Sequence, residues 1–233
     1  MIKGWKLVTV YSLVILIMLL VVNAGNRALT VFWENQGFRR THCIIIDPGH
    51  GGEDGGAVSY NGLPESGYNL AISLKLNDLL NLLGYQTKMI RTTDVSVYSK
   101  GETLSQKKVS DLKERVKLIN ETDGALLISI HQNHYPDSRY SGAQVFYTNS
   151  KESEQLAKQL QEVFVLQLNP GSHRQAKKSS GIYIMENIHC PGVLIECGFL
   201  SNVSEEAKLK EPSYQKKLSS IIATTICGYL SNT

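Results

Sequence analysis

Three side chains suited to metal chemistry come at or just after the ends of mostly apolar runs in the sequence. They are His50, His131 and Glu196. Such runs, bounded by glycine and polar residues, are typical of strands buried in an α/β sheet. Ligands of these sheets bind in the crevice outside the carboxyl ends of the strands. We therefore expect the three side chains to converge on one site.

Two histidines and a carboxylate form a donor set typical of catalytic zinc, because they leave the ion a fourth position for water. Glu53, Asp54 and Glu65 are all candidates for the carboxylate that joins His50 and His131. Glu65 is preferred because it lies just ahead of a predicted helix, where the positive end of the helix dipole keeps a carboxylate ionised. These residues predict one Zn²⁺ per chain.

Other chemistries fit the sequence less well. Glycines at positions 49, 51, 52, 55 and 56 remove side-chain bulk around His50, but the loop lacks the spacing of a phosphate-binding loop. No Gly-x-Ser-x-Gly elbow is present. Cys197, next to Glu196, is expected to point to the opposite face of its strand. The residues themselves therefore indicate a metal-assisted hydrolase.

An alternation of strands and helices predicts an α/β fold for the domain, residues 42–233. Strands are predicted over residues 43–46, 85–91, 125–130, 143–147, 181–185 and 193–196, and helices over residues 69–83, 110–120, 152–168 and 213–229. Apolar residues at helical spacing indicate helices that pack on a sheet. We predict a single layered domain with a mixed, mostly parallel twisted sheet flanked by helices.

The N-terminal residues predict an apolar helix outside this domain. Residues 7–22 carry no charge, follow Lys6 and precede the small residue Ala24. The pattern is typical of a signal peptide or membrane anchor over residues 1–24, with a linker over 25–41. The apolar run would be about 24 Å long, against about 30 Å for the hydrocarbon core. Cleavage and retention both fit; an uncleaved chain would contact the membrane through residues 7–22. In either case the domain is exported and extracytoplasmic.

Composition limits the possible partners. The net charge is +3, and two of the positive charges, Lys3 and Lys6, precede the apolar run, so no nucleic-acid partner is expected. Lysine pairs at 107–108 and 177–178, the latter near Arg174, are expected to lie in solvated loops or to contact an anionic surface. The four cysteines are compatible with disulfides, but their apolar surroundings favour buried thiols.

Four motifs, in order along the chain, resemble those of the zinc-dependent N-acetylmuramoyl-L-alanine amidases. They are DPGHGG at 47–52, Glu65 with Asn69-Leu70, SIH at 129–131 with Asn133, and LIE at 194–196 with GFLSN at 198–202. The resemblance covers about residues 42–230, and four ordered motifs are far more specific than any one of them. The sequence departs from the family's pattern at residues 66–67, His134 and Cys197, without loss of a functional group.

The resemblance implies roles for the site residues. His50, Glu65 and His131 would hold the zinc ion, and Glu196 would be the catalytic carboxylate, acting as base and then as acid. The candidates for substrate binding or support of the site are Asp47, Asn133, His134 and Arg174. The substrate would be peptidoglycan, cut at the amide between the lactyl group of N-acetylmuramic acid and L-alanine.

Within this family the chain resembles the germination-specific amidases of the spore cortex. The resemblance rests on the short chain, the apolar N-terminal segment and the sequences SGAQ at 141–144, GIY at 181–183 and IEC at 195–197. It implies muramic δ-lactam formation in the forespore envelope space, with an accessory spore envelope protein as a partner. The alternatives are a vegetative autolysin, a zinc peptidase acting on the stem peptide, and a non-catalytic domain that binds muropeptide.

Overall fold

The structure, a computed structural model, describes residues 15–18, 20–23 and 42–232. The chain divides into two units, residues 1–41 and residues 42–233. The described residues of the first unit are helical with exposed side chains, in agreement with the predicted apolar helix. The rest of the segment 1–24 and the linker 25–41 lie outside the described residues, so cleavage and anchoring stay predictions. Among the described helices, none has both the length and the hydropathy needed to cross a membrane.

Six strands form one sheet within residues 42–232. They are β1 Cys43–Pro48, β2 Gln86–Met89, β3 Ala125–Asn133, β4 Gln144–Tyr147, β5 Lys177–Lys178 and β6 Gly192–Phe199. Their order across the sheet is β2-β1-β3-β6-β4-β5. The first four of these neighbours run parallel, β4 is antiparallel to β6, and β5 is parallel to β4. The predicted mixed, mostly parallel sheet is confirmed.

Helices cover both faces of this sheet. They are α1 Glu65–Leu82, α2 Leu104–Asn120, α3 Lys151–Gln167, α4 Tyr183–Asn187, α5 Val203–Lys210 and α6 Pro212–Leu230. Ile44 and Ile46 of β1 belong to a larger core that includes α1, α3 and α6, whereas Ile45 belongs to a smaller core that includes α2 and α4. Alternate strand residues point to opposite faces, and a strand covered on both faces is therefore apolar throughout. This explains the continuous apolar run of β1.

The predicted strand over residues 181–185 is wrong. Gly181, with φ 74°, turns the chain, and its N–H donates a hydrogen bond of 2.6 Å to the Glu186 carboxylate. The chain then enters helix α4, whose Ile184 and Met185 are buried in the smaller core. These apolar side chains can be buried from a strand or from a helix, so their types do not decide the conformation.

Side-chain caps determine where two other helices begin. Helix α2 starts before the predicted residue 110, because Thr103 and Gln106 form a capping box. Helix α5 was not predicted; the side chain of Asn202 caps it by accepting a hydrogen bond from the Glu205 N–H at 3.0 Å. Both helices start in polar sequence, where apolar periodicity gives little signal.

The cysteines are thiols, as predicted. All four lie within residues 42–232, and no disulfide joins any two of them. Cys43 and Cys197 are buried, and Cys190 and Cys227 are partly buried. Burial raises the pKa values of the Cys197, Cys43 and Cys190 thiols. The reactive thiolate form is therefore suppressed.

Candidate metal centre

The carboxyl ends of β1, β3 and β6 bring the predicted site residues together. His131 of β3 is in register with Glu196 of β6. Pro48, the last residue of β1, is in register with Ile130, so His50 follows two residues beyond the same edge. Neighbouring strands lie about 4.8 Å apart, and residues in register share a face of the sheet. The expected convergence of the two histidines and Glu196 is present.

Side-chain atoms of His50, Glu65 and His131 form a compact cluster. One possible ligand atom from each residue lies within 4.8 Å of the other two. The His50 Nε2 atom is 3.3 Å from Glu65 Oε2, and the His131 Nδ1 atom is 2.9 Å from Glu65 Oε1. The two imidazole rings are 5.0 Å apart at an interplanar angle of 75°. Two imidazoles and a carboxylate facing one point could hold a divalent ion and leave a position open.

Glu65 is fixed at the first residue of helix α1, where it is 3% exposed. Its carboxylate accepts hydrogen bonds from the Ala57 N–H at 3.0 Å, from the Gln132 N–H at 3.1 Å and from the Asn69 side chain at 3.1 Å. The positive end of the helix dipole adds to this stabilisation of the charged form. A carboxylate held in this way stays ionised and keeps a single orientation.

Contacts within the cluster raise the pKa of His50 and lower the pKa of Glu65. Burial alone would lower the pKa of His50, but hydrogen bonds to Asp54 and Glu65 raise it to about 9. Burial alone would raise the pKa of Glu65, but hydrogen bonds from His131 and His50 hold it well below its usual range. A metal ion bound here would have to displace a proton from such a group, so its binding would depend on pH.

The other two candidate carboxylates lie outside the cluster. Asp54 Oδ2 is 2.9 Å from His50 Nδ1, so it orients the ring and leaves Nε2 facing the cluster. Asp54 in turn is 3.3 Å from Lys108 Nζ, and the exposed Glu53 pairs with Lys107 at 2.6 Å. The prediction that this lysine pair lies in a solvated loop is wrong, because both lysines belong to α2 and face the loop of His50.

Two buried arginines hold the loop of His50. Arg115 donates hydrogen bonds to the carbonyls of Pro48 at 3.0 Å and His50 at 2.7 Å, and it forms an ion pair with Asp47. Arg91 donates to the same Pro48 carbonyl at 2.9 Å. The backbone of His50 has φ 61°, a left-handed conformation that is uncommon for residues other than glycine. The arginines therefore stabilise the unusual turn that orients the first imidazole.

Two positions in the loop of His50 require glycine because the backbone there lies very close to the side chains of the cluster. A Cβ atom added at Gly49 would overlap the imidazole ring of His131. A Cβ atom at Gly56, where φ is 72°, would lie 2.6 Å from Glu65 Oε2 and from the His50 ring. The absence of side chains at these positions lets the loop lie directly against the cluster.

Glu196 stands beside the cluster with an unsatisfied oxygen. Its Oε2 atom is inaccessible to solvent and has no hydrogen-bond partner among the described residues. Burial raises its pKa to about 7, while the charges of His131 and His50 lower it and that of Glu65 raises it. Cys197 belongs to the larger core on the other face of the sheet, as predicted.

The candidate support residues Asp47 and Asn133 lie at the ends of β1 and β3. Asp47 is fully buried and accepts a hydrogen bond of 2.8 Å from the Ser129 hydroxyl in addition to its pairing with Arg115. Its position suits support of the site rather than substrate contact. The carbonyl of Asn133 accepts a hydrogen bond of 2.8 Å from the Leu200 N–H, which joins the end of β3 to the chain after β6.

The two candidate substrate contacts, His134 and Arg174, form no hydrogen bond or ion pair with the metal cluster. His134 is exposed in the loop after β3. Arg174 is partly buried; it donates to the Ser141 carbonyl at 3.1 Å and to Gln144 Oε1 at 3.3 Å, and it lies over the ring of Phe199. The structure brings neither into contact with the three clustered residues, and their roles stay predictions.

Comparison with known proteins agrees with the geometry. Residues 44–228 match the family described as N-acetylmuramoyl-L-alanine amidase. The germination-specific N-acetylmuramoyl-L-alanine amidase of Bacillus subtilis (strain 168) is 42% identical over 190 residues, which cover 81% of this chain and 79% of that protein. N-acetylmuramoyl-L-alanine amidase LytC of the same organism is 33% identical over 189 residues, covering 80% of this chain and 35% of LytC.

Solved structures show the same fold. The CwlD amidase from Clostridioides difficile, in complex with the GerS lipoprotein, is 37% identical with a TM-score of 0.79, and the match covers 82% of this chain and 100% of that chain. An N-acetylmuramoyl-L-alanine amidase from Clostridium difficile 630 is 29% identical with a TM-score of 0.71, covering 83% and 99%. The chain therefore belongs to the N-acetylmuramoyl-L-alanine amidase family, and its activity is that of such an amidase on peptidoglycan.

Proposed function

We propose that His50, Glu65 and His131 hold one Zn²⁺ ion and that Glu196 transfers the proton during amide hydrolysis. The donor set fits zinc, since two imidazoles and one carboxylate converge within 4.8 Å. The observation that carries the proposal is the buried, unpartnered Oε2 atom of Glu196 beside this cluster. A buried oxygen without a donor is costly in a folded protein, and a bound water would supply the missing hydrogen bond.

The residues divide the chemistry between them. Zinc, when bound, polarises the substrate carbonyl and lowers the pKa of water to about 7. Glu196 accepts a proton from the attacking water and returns it to the departing nitrogen. Its raised pKa of about 7 makes both protonation states accessible near neutral pH. Asp54 holds the Nδ1 atom of His50, which leaves the Nε2 atom for the ion.

Isosteric glutamine variants test this division. Glu196→Gln is expected to retain one zinc per chain and to lose about 10²- to 10⁴-fold in turnover, because only the proton-transfer group is removed. Glu65→Gln is expected to lose both zinc and turnover. Zinc is measured by elemental mass spectrometry, and turnover by the release of L-alanine amino termini from cell wall.

Glu53→Gln is the matched control for both variants. Glu53 lies in the same loop as His50, but it is exposed and outside the cluster. Its variant is expected to retain zinc and turnover. Undiminished turnover in Glu196→Gln, or full zinc content in Glu65→Gln, would contradict the assignment. Products cut within the stem peptide, with the muramoyl–alanine bond intact, would favour a zinc peptidase.

The setting that we propose is maturation of the spore cortex, where removal of stem peptides permits muramic δ-lactam to form. Support comes from the 42% identity to the germination-specific amidase of Bacillus subtilis. The full chain is expected to restore muramic δ-lactam in a strain lacking that amidase, as measured by mass spectrometry of cortex fragments. Restoration by wild type but not by Glu196→Gln would support the role, whereas cleavage of vegetative wall without restoration would favour an autolysin.

We also propose that the domain acts in the forespore envelope space, tethered or released according to the fate of residues 1–24, with an accessory envelope protein as partner. Its cell-wall relatives act outside the cytoplasm, and CwlD from Clostridioides difficile was solved with the GerS lipoprotein. Affinity isolation of the full chain from sporulating cells, followed by N-terminal sequencing, tests both points. Recovery of the intact chain from membranes would show retention.

A further inference from the structure

Three aromatic rings form a row that ends at Arg174. This end of the row lies on the β4 side of Glu196, and the metal cluster lies on the β3 side. The aromatic row consists of Tyr135, Tyr140 and Phe199, with ring centroids 4.7 Å apart for the first pair and 6.3 Å for the second. The Arg174 Cζ atom lies 5.1 Å from the centroid of Phe199. Both tyrosines are 48% exposed, whereas Phe199 is buried. The row therefore forms a partly exposed wall that ends at a guanidinium group.

Arg174 is held in place by neutral groups. Its Nε donates to the Ser141 carbonyl and its Nη1 to Gln144 Oε1, and its Cζ atom lies over the ring of Phe199. None of the ion pairs formed within residues 42–232 includes it. A guanidinium carries five N–H donors, so three N–H groups, on Nη1 and Nη2, are left for an anion from outside the chain.

Glu196 lies between the metal cluster and this guanidinium. In β6 it is in register with His131 of β3 on one side and with Gln144 of β4 on the other. Directly opposite residues of antiparallel strands are about 5 Å apart. Because Arg174 bonds to the side chain of Gln144, it occupies the flank that a substrate would reach after passing Glu196.

We propose that Arg174, supported by the aromatic row, binds a free carboxylate of the stem peptide and makes the enzyme select for it. The inference rests on the proposed function, which places the reacting amide between the metal cluster and Glu196. The second stem residue, D-glutamate, is linked through its side-chain carboxyl, so its α-carboxylate remains free. A chain advances about 3.3–3.6 Å per residue, which puts this carboxylate roughly 7 Å from the cleaved carbonyl.

The guanidinium of Arg174 is chemically suited to bind a carboxylate of the stem peptide. Arginine binds carboxylates through two parallel N–H groups, which neither lysine nor glutamine can reproduce. Phe199 covers one side of the guanidinium and removes water from it, which strengthens its attraction to an anion. The tyrosines extend the wall outward, where the apolar parts of the bound peptide would lie.

Two muropeptides that differ by one charge test the inference. They are disaccharide tetrapeptides with either a free α-carboxylate or an amide at the second stem residue. Wild type is expected to favour the carboxylate form by about 10- to 100-fold in kcat/KM, the range of a charge-assisted hydrogen bond. Arg174→Gln is expected to lose this preference, through slower cleavage of the carboxylate form and little change on the amide form.

Arg139→Gln is the matched control, because Arg139 lies in the same loop as Tyr140 but is solvent-exposed and pairs with Asp137. It is expected to keep the wild-type preference. Arg174→Lys keeps the charge but not the planar guanidinium, and it is expected to show a reduced preference for the carboxylate form. This variant replaces Arg174→Gln in the test if the glutamine variant does not fold. Equal losses on both substrates in either Arg174 variant, or no preference in wild type, would overturn the inference. Glu196→Gln is assayed alongside, since its turnover tests the proposed function separately.

Discussion

The β1 flank and the β4 flank of the site are held by different kinds of contact. On the β1 flank, the loop of His50 is held by the buried charges of Arg91 and Arg115, which bond to backbone carbonyls. On the β4 flank, the loop that joins β3 to β4 carries the exposed His134, and Arg174 is restrained by two neutral oxygens and a ring. Buried charged contacts leave little freedom, whereas exposed loops adapt. The β1 flank is therefore preorganised, and the β4 flank could adjust to a ligand.

Loss of Arg115 is expected to have the largest effect on stability. Arg115→Met leaves Asp47 as a buried carboxylate without its partner, and removal of one member of a buried ion pair costs about 3–5 kcal/mol. The free energy of unfolding is measured by urea denaturation of the metal-free protein. Arg139→Met, which removes an exposed arginine from the other flank, is expected to change it little. Equal destabilisation by the two variants would remove the contrast between the flanks.

Acid should weaken the same flank through Asp47. Burial would raise the pKa of Asp47, but the charges of Arg115 and His131 and the hydrogen bond from Ser129 hold it below its usual value of 3.8. Because the folded-state pKa is the lower one, the stabilisation is complete above the unfolded pKa and is lost as pH falls through the folded pKa.

Asp47→Asn is expected to be less stable than wild type at neutral pH and to lose less stability on acidification. Unfolding free energies measured between about pH 5 and pH 2 check this difference. If the variant and wild type lose stability in parallel, Asp47 is not responsible.

An added methyl group tests how tightly the loop fits the cluster. Gly49→Ala forces the His131 ring to move, so we expect weaker zinc binding and a loss of about 1–3 kcal/mol in stability. Gly67→Ala is the control, because its Cβ atom in helix α1 would meet nothing within 4 Å. It is expected to stabilise the protein by about 0.4–1 kcal/mol and to leave zinc affinity unchanged. Zinc titration and denaturation measure the two effects; unchanged zinc affinity in Gly49→Ala would show that the loop can move away.

The smallest effect is expected on the β4 flank. His134→Ala removes an exposed side chain and should change the free energy of unfolding by less than about 0.5 kcal/mol, with zinc affinity unchanged. Thermal denaturation and zinc titration give the two quantities. A loss comparable to that of Gly49→Ala would show that this flank also contributes to the metal site.

The cluster could be anticipated from sequence because its residues follow apolar strand patterns. His50 and His131 come near the carboxyl ends of buried strands, and parallel strands bring such ends together. Glu65 was preferred over Asp54 for its place at a helix start, and the structure puts Asp54 on the other nitrogen of His50. Pattern and motif therefore identified the side chains that converge on the cluster, whose roles await the variants above.

The arginines that hold the loop were harder to find. Arg91 ends a predicted strand and could have been found by the rule that selected the histidines. Arg115 lies on the buried side of α2 with Asp111 and Ile119. Two of these three residues are charged, so a search for apolar residues at helical spacing does not identify this side as buried. Their partners are backbone carbonyls far away in sequence, which no local pattern reveals.

The four thiols make the domain independent of the redox state of its surroundings. No covalent cross-link joins them, so the fold needs no oxidase or disulfide isomerase to reach its native state. The high pKa of the buried Cys197 slows its exchange with external disulfides. The domain should therefore unfold at the same urea concentration with and without reductant, and should fold equally well in a reducing cytosol and in an oxidising extracellular space.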